Sequence, residues 1–95
     1  MVELADLPAG RQAREIEIMY YVYAIQSENR NYTYVGLTAN TKKRIAEHND
    51  KKERTTRSYA PFKTILIEEY DTRIKARKRE KYLKSGAGKE YLKSL

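Results

Sequence analysis

Two runs of β-branched and aromatic residues, Tyr20-Tyr21-Val22-Tyr23-Ala24-Ile25 and Tyr32-Thr33-Tyr34-Val35-Gly36-Leu37, stand a short polar segment apart. Such runs favour extended backbone. Ser27-Glu28-Asn29-Arg30-Asn31 between them reads as a turn, and so short a connection makes an antiparallel hairpin the natural pairing. A domain that opens on a hairpin must cover its apolar face with later segments of the chain. Thr38-Ala39-Asn40-Thr41 offers helix-capping residue types, and a helix is expected over about Lys42–Asn49. Asp50–Tyr59 reads as a charged loop. Phe62–Tyr70 reads as a third strand, with Pro61 suiting its start. Asp71 or Thr72 is expected to cap a helix over Arg73–Lys84. The stretch Ser85-Gly86-Ala87-Gly88 is expected to stop it, with glycine where helices commonly end. A last short helix over Lys89–Leu95 would place Leu92 and Leu95 on one face. The order β-β-α-β-α-α predicts a small α+β domain with a three-stranded antiparallel sheet flanked by helices.

The chain of 95 residues has room for one such domain, with a thin core. Residues 1–18 read as an N-terminal extension, because Pro8 and Gly10 interrupt any periodicity, with a short helix expected over Arg11–Ile18. The domain proper is expected over residues 19–95. No stretch approaches the ~20 apolar residues of a membrane span, and no basic start precedes an apolar block as in a secretory signal. With no cysteine, disulfide, thiolate-metal and cysteine-nucleophile chemistry drop out. A cytoplasmic location is expected. The net charge of +7 is uneven: residues 1–19 carry −2 and residues 20–95 carry +9. An excess of that size points to a polyanion, most often nucleic acid.

Three features could carry chemistry. The chain has nine Tyr, one Phe and no Trp, so the rings are not present for apolar bulk alone; a buried phenol needs a hydrogen-bond partner. Side chains alternate along a strand, so a hairpin could bring the hydroxyls of Tyr23 and Tyr34 together. The plainer reading is a tyrosine-rich, half-buried sheet. Next, Arg44 and His48 are four apart on the first helix and share a face. Arginine suits phosphate binding and histidine proton transfer near neutral pH, although a lone histidine is often structural. Last, the helix Arg73–Lys84 holds seven Lys or Arg and one acid, Glu80. Its spacing from Ala76 and Leu83 puts it near the apolar stripe, where a carboxylate is costly unless paired or metal-bound. The competing reading is a salt bridge to Lys84.

There is no Gly-rich phosphate loop, so no nucleotide cofactor is expected. One histidine and no cysteine exclude a zinc finger or zinc deaminase site. Glu68 and Glu69 are adjacent on a strand, face opposite ways and make a poor two-metal pair.

Taken together, these pieces resemble the GIY-YIG nuclease family. Its two strand motifs appear here as Tyr21-Val22-Tyr23 and Tyr34-Val35-Gly36, with Tyr21 standing where the first motif has glycine. Arg44 follows at the spacing of the family's helix arginine. His48 lies where the family commonly has His or Tyr, and Glu80 where it has its metal-binding glutamate. The resemblance covers about residues 19–95. The segment Arg77–Gly86 is similar to small stand-alone bacterial members related to the nuclease domain of excision-repair proteins. The resemblance implies a metal-dependent DNA endonuclease, structure-preferring and linked to repair or recombination. Tyr23, Tyr34, Arg44, His48 and Glu80 would be its catalytic residues, and Glu80 would hold Mg²⁺, with Mn²⁺ an expected substitute. Arg44 would hold the phosphate. Tyr23, Tyr34 or His48 would orient or deprotonate water, and a phenol needs nearby positive charge to act as a base at neutral pH. Lys42, Lys43, Lys51, Lys52, Arg54, Arg57, Arg77 and Lys81 would contact phosphates without reading sequence. DNA is the expected partner, with RNA left open and room for a protein partner that supplies specificity. Some members carry an asparagine near the C-terminus, whereas none follows Asn49 here. That departure motivates an alternative expectation, a non-catalytic nucleic-acid-binding module with the same fold.

Overall fold

A computed structural model describes residues 18–95. All of the N-terminal extension except Ile18, with the helix expected there, lies outside the described residues. The elements run β1 (Tyr20–Ser27), β2 (Thr33–Thr38), α1 (Thr41–Asn49), a 3₁₀ turn (Arg57–Tyr59), β3 (Phe62–Tyr70), α2 (Arg73–Leu83) and α3 (Gly86–Lys93). The sheet order is β2-β1-β3 with both pairings antiparallel. This is the α+β arrangement expected from the sequence.

Alternation along β1 splits the interior in two. Val22 and Ala24 join Val35, Ala76, Leu83 and Leu92 in a core between the sheet and α2 with α3. Tyr23 and Ile25 point the other way, with Phe62, and pack against Tyr32, Tyr34, Ile45 and Tyr59. Ile45 lies on α1, so α1 covers the second face. Val22 to Ile25 are all at most 1% exposed, because the central strand is covered on both sides. The register of β1 with β3 shifts between Ala24, opposite Leu66, and Ile25, opposite Thr64. That leaves Ile65 as an extra residue, a β-bulge. It lets two consecutive residues, Ile65 and Leu66, pack on the same core, whereas Ile67 is left 49% exposed. Strict alternation does not foresee this.

The helices start on side-chain caps, each satisfying a backbone N–H that the first turn leaves free. Asn40 Oδ1 accepts from Lys43 N at 3.1 Å and Thr72 Oγ1 from Lys75 N at 3.2 Å. α1 is followed by Lys51 in the left-handed region, at φ 64°, where a helix commonly terminates. Two expectations need correction. The glycines expected to stop α2 instead open α3. Ser85 makes the junction: its hydroxyl donates to the Tyr82 carbonyl at 2.5 Å and accepts from Gly88 N at 3.2 Å. Leu95 is not on the buried face of α3; it lies beyond the helix and is 58% exposed, whereas Leu92 is buried. Among the described residues no helix is long and apolar enough to cross a membrane.

The two glycines of α3 have different jobs. A Cβ at Gly86 would meet nothing within 4 Å, but one at Gly88 would run into the backbone of Tyr82 and Leu83. Gly88 is therefore what lets α3 fold back tightly on the end of α2. Gly88→Ala should destabilise the domain by about 1–3 kcal/mol, as overpacking does, whereas Gly86→Ala should be neutral or stabilising by up to ~1 kcal/mol. Thermal melts of the two variants check this, and equal melting temperatures would contradict the close packing.

Candidate active site

Four of the five residues singled out for chemistry converge on the α1 face of the sheet. In the β1–β2 register Tyr23 lies opposite Gly36, and Tyr34 opposite Ile25. The two tyrosines are therefore diagonal neighbours, with ring centroids 6.2 Å apart. A Cβ at position 36 would sit 2.5 Å from the Tyr23 hydroxyl oxygen and 2.6 Å from its Cζ. The glycine of the second motif thus makes room for the tyrosine of the first.

The rings are neighbours, but no hydrogen bond joins the two hydroxyls. Tyr23 instead pairs with His48, whose Nε2 is 2.9 Å from the Tyr23 oxygen. His48 Nδ1 is 2.7 Å from Thr56 Oγ1. His48 and Thr56 are 0% exposed. Burial, then the charge of Arg44, hold His48 below its ordinary pKa, so it is a neutral imidazole at neutral pH with one donor nitrogen and one acceptor nitrogen. The chain Tyr23–His48–Thr56 consequently runs in one direction at a time. Either Tyr23 donates to Nε2 and Nδ1–H donates to Thr56, or Thr56 donates to Nδ1 and Nε2–H donates to Tyr23.

Burial, with Tyr34 beside it, pushes the Tyr23 phenol up to about 12, and the positive charge of Arg44 only partly opposes this. Tyr34 has a different setting. Its ring lies 4.8 Å from His48, it is half-buried, and its hydroxyl makes no hydrogen bond to the described residues.

Arg44 shares a face of α1 with His48, one turn earlier. Its guanidinium donates to Glu47 at 3.1 Å and to Glu53 at 2.5 Å. The bond to Glu53 raises the arginine's pKa further, and the same bond holds the Glu53 carboxyl below the usual carboxylate range. The side chain is 31% exposed, so part of it is open to solvent.

Glu80 stands apart. It is on α2, whose Ala76 and Leu83 pack on the other face of the sheet, and its side chain is only 16% exposed. Lys84 Nζ lies 3.3 Å from Oε2 and Arg77 Nε 3.8 Å from Oε1. Among the described residues no hydrogen bond or ion pair joins it to Tyr23, Tyr34, Arg44 or His48. The pair with Lys84 that the sequence offered as the plain alternative is present. The same residues contain no group of three His, Cys, Asp or Glu that could cage a metal. A lone carboxylate is a poor donor set for zinc and a reasonable one for Mg²⁺, which keeps most of its water and takes one or two carboxylates.

The expected phosphate contacts are all on the surface. Lys42, Lys43, Lys51, Lys52, Arg54 and Arg57 are exposed around α1 and the loop after it, and Arg77 and Lys81 on α2. The loop does more than the sequence suggested, because Glu53 and Thr56 turn inward to Arg44 and His48. Glu47, three residues after Arg44, could have been recognised from helical spacing. Nothing in the local sequence marks Glu53 or Thr56.

The buried pair has a pH signature. His48 is neutral when folded, so below about pH 6.5, the ordinary value, the unfolded chain takes up a proton that the folded one resists. Stability should fall as pH drops through that point. Tyr23 acts at the other end: the unfolded phenol ionises near 10 while the folded one holds its proton to about 12, so stability should fall as pH rises past 10. Urea melts across pH 5–11 should show a plateau between these limits. The acid limb should be absent in His48→Gln, and an unchanged acid limb would mean that His48 is not held neutral.

A family model described as GIY-YIG catalytic domain matches residues 19–92. Comparison with individual curated proteins gave no match. The matched span takes in both strand motifs, α1 with Arg44 and His48, and α2 with Glu80. Domains of this family are in general divalent-metal-dependent endonucleases that act on DNA. By the extent of that match and the fold that carries it, the chain belongs to the GIY-YIG nuclease family.

Proposed function

We propose that this chain is an active endonuclease that hydrolyses DNA phosphodiester bonds, with a preference for DNA structure over sequence and a role in repair or recombination. What supports the reading most is the convergence of a partly exposed arginine, a phenol with no hydrogen bond among the described residues and a buried imidazole–phenol pair on one face of the sheet.

In this reading partly exposed Arg44 holds the scissile phosphate, where a fixed guanidinium offsets the charge that grows on the phosphoryl oxygens. Glu47 and Glu53 keep it in one orientation. Tyr34 is the phenol that meets the attacking water, because its hydroxyl has no partner among the described residues; to take the water's proton it must first give up its own to solvent. Tyr23 is the less suitable base: burial raises its pKa and its hydroxyl is given to His48. It supports Tyr34 from behind, and His48 and Thr56 lock it in place. The proton leaves the water for the Tyr34 phenolate as the water oxygen bonds to phosphorus, the bond from phosphorus to the leaving sugar oxygen breaks, and that oxygen takes a proton from solvent. Glu80 would hold a hydrated Mg²⁺ or Mn²⁺, which supplies Lewis acidity and offsets phosphate charge when bound. Its partners Lys84 and Arg77 are half-exposed, and such ion pairs are weak enough to exchange. The exposed lysines and arginines of α1, the loop after it and α2 give salt-sensitive, sequence-tolerant binding. The lack of cysteine suits a reducing compartment, hence the cytoplasm.

The observation that favours the alternative, a binding module, is the same double engagement of Arg44: a cation held by two carboxylates is partly spent before DNA arrives. Cleavage decides between them. A labelled panel of duplex, single-stranded, flap and branched DNA should be cut by the wild type in Mg²⁺ and Mn²⁺ and left intact in chelator. Arg44→Ala and Glu80→Gln should each slow cutting by roughly 10²–10³. Tyr34→Phe should slow it by roughly 10²–10⁴, and Tyr23→Phe by less. Binding without any cutting would establish the module. Cutting that survives Tyr34→Phe unchanged would remove Tyr34 as the base.

A further inference from the structure

We propose that the cavity beneath the β2 edge receives one unpaired nucleotide of the DNA strand, an inference that rests on the nuclease reading and specifies its substrate. The cavity holds about 420 Å³, within the range of small-ligand sites. It opens where β2, an outer strand of the sheet, passes α3 and the end of α2. It is not the Tyr23–His48 cluster, but it adjoins the candidate site at two points. Tyr34 forms part of its wall, and so does Lys84, the ion-pair partner of Glu80.

The wall chemistry matches a nucleotide part by part. Partly buried Ile65, with the small exposed parts of Val35 and Leu92 (6% each), supplies an apolar surface for a base, and Leu83 backs it from the core. Gln26 and Asn31 each bring an amide with donors and an acceptor, the complement of a base's polar edge. Lys84, Lys89 and Lys93 supply cations for phosphate, and no acidic residue is among the lining groups. Lys84 and Lys93 pair with Glu80 and Glu90 at 3.3 and 3.5 Å through exposed ammonium groups, contacts a phosphate can displace. Lys89 makes no ion pair among the described residues. A simple apolar anion would leave both amides unsatisfied, whereas a planar body with a polar edge and a phosphate uses all three sets of groups. A base inside a duplex cannot enter a concave site without leaving its stack, and one that is already unpaired enters at the least cost. The site thus gives a physical reason for preferring flaps, branches and mismatches over plain duplex.

The test is binding in chelator, so that cutting does not interfere, with two DNAs of equal length. One is a blunt duplex and the other carries a single unpaired 2-aminopurine. The wild type should bind the second at least fivefold tighter, with a change in 2-aminopurine emission. In the double variant Lys89→Ala, Lys93→Ala that advantage should fall below twofold while affinity for blunt duplex changes less than twofold. Thr33→Trp, at an exposed position on the cavity wall, should remove the advantage by occlusion with the lysines intact. Thermal melts establish that each variant is folded. Equal wild-type affinity for the two DNAs would overturn the proposal, as would a double variant that weakens both equally or a Thr33→Trp protein that keeps the advantage. Wild-type cleavage in Mg²⁺ separates the two readings. Cutting without an unpaired-base advantage leaves the nuclease and removes the cavity's role. An advantage without cutting leaves the cavity and removes the nuclease.

Discussion

The hydrogen bond between Tyr23 and His48 organises the half of the molecule that faces α1. Tyr23 lies on the central strand, where both faces are covered and a phenol hydroxyl has no access to water. An unpartnered hydroxyl there is costly, and His48 relieves that cost at 2.9 Å. The remedy creates a second demand, because the imidazole is itself buried and has another nitrogen to satisfy. Thr56 meets it from the loop. One buried oxygen on β1 thus fixes the rotation of α1 and the path of the loop after it. The same loop brings Glu53 to Arg44. Gly36 is the other condition, since any side chain there would occupy the space of the Tyr23 ring.

The two-faced arrangement divides the candidate site residues. Tyr23, Tyr34, Arg44 and His48 belong to the α1 side, and Glu80 to the side of α2 and α3. In the middle of a sheet such a division would keep the two sets from a common ligand. β2 is an edge strand, and among the described residues no further strand lies beyond its outer side. On the proposed reading, a DNA strand running along that edge would meet side chains rooted on both faces.

Much of this was legible in the sequence. The strand runs, the caps at Asn40 and Thr72 and the helix spacing of Arg44 with His48 are local signals, and each formed as the local chemistry dictates. Tertiary demands wrote the rest. The bulge at Ile65 exists because the core needs two consecutive apolar residues from β3. Gly86 and Gly88 looked like a helix stop, yet Ser85 caps a new helix, and the space at Gly88 is set by the neighbouring backbone. Glu53 and Thr56 sit among Lys and Arg in a segment that reads as solvent-facing. Their inward turn answers to Arg44 and His48, which no local pattern around them reveals. Pairing of the Tyr23 and Tyr34 hydroxyls was a reasonable inference from strand alternation, but the diagonal register and the nearby histidine redirect Tyr23.

The pincer on Arg44 also alters how salt should act on this protein. Surface lysines and arginines hold a diffuse atmosphere of small anions, and each phosphate they neutralise frees counterions from DNA, which makes binding fall with ionic strength. Arg44 already carries its anions as covalently tethered carboxylates, Glu47 and Glu53. On the proposed reading, a phosphate reaching Arg44 would join or replace a carboxylate on the same chain, so the local exchange would be one anion for another. On the same reading, affinity governed by the outer lysines would be strongly ionic-strength dependent, while engagement of a phosphate at Arg44 would be comparatively insensitive to salt. Capture and commitment would then be separable steps, the first tuned by the solution and the second by the protein's own acids.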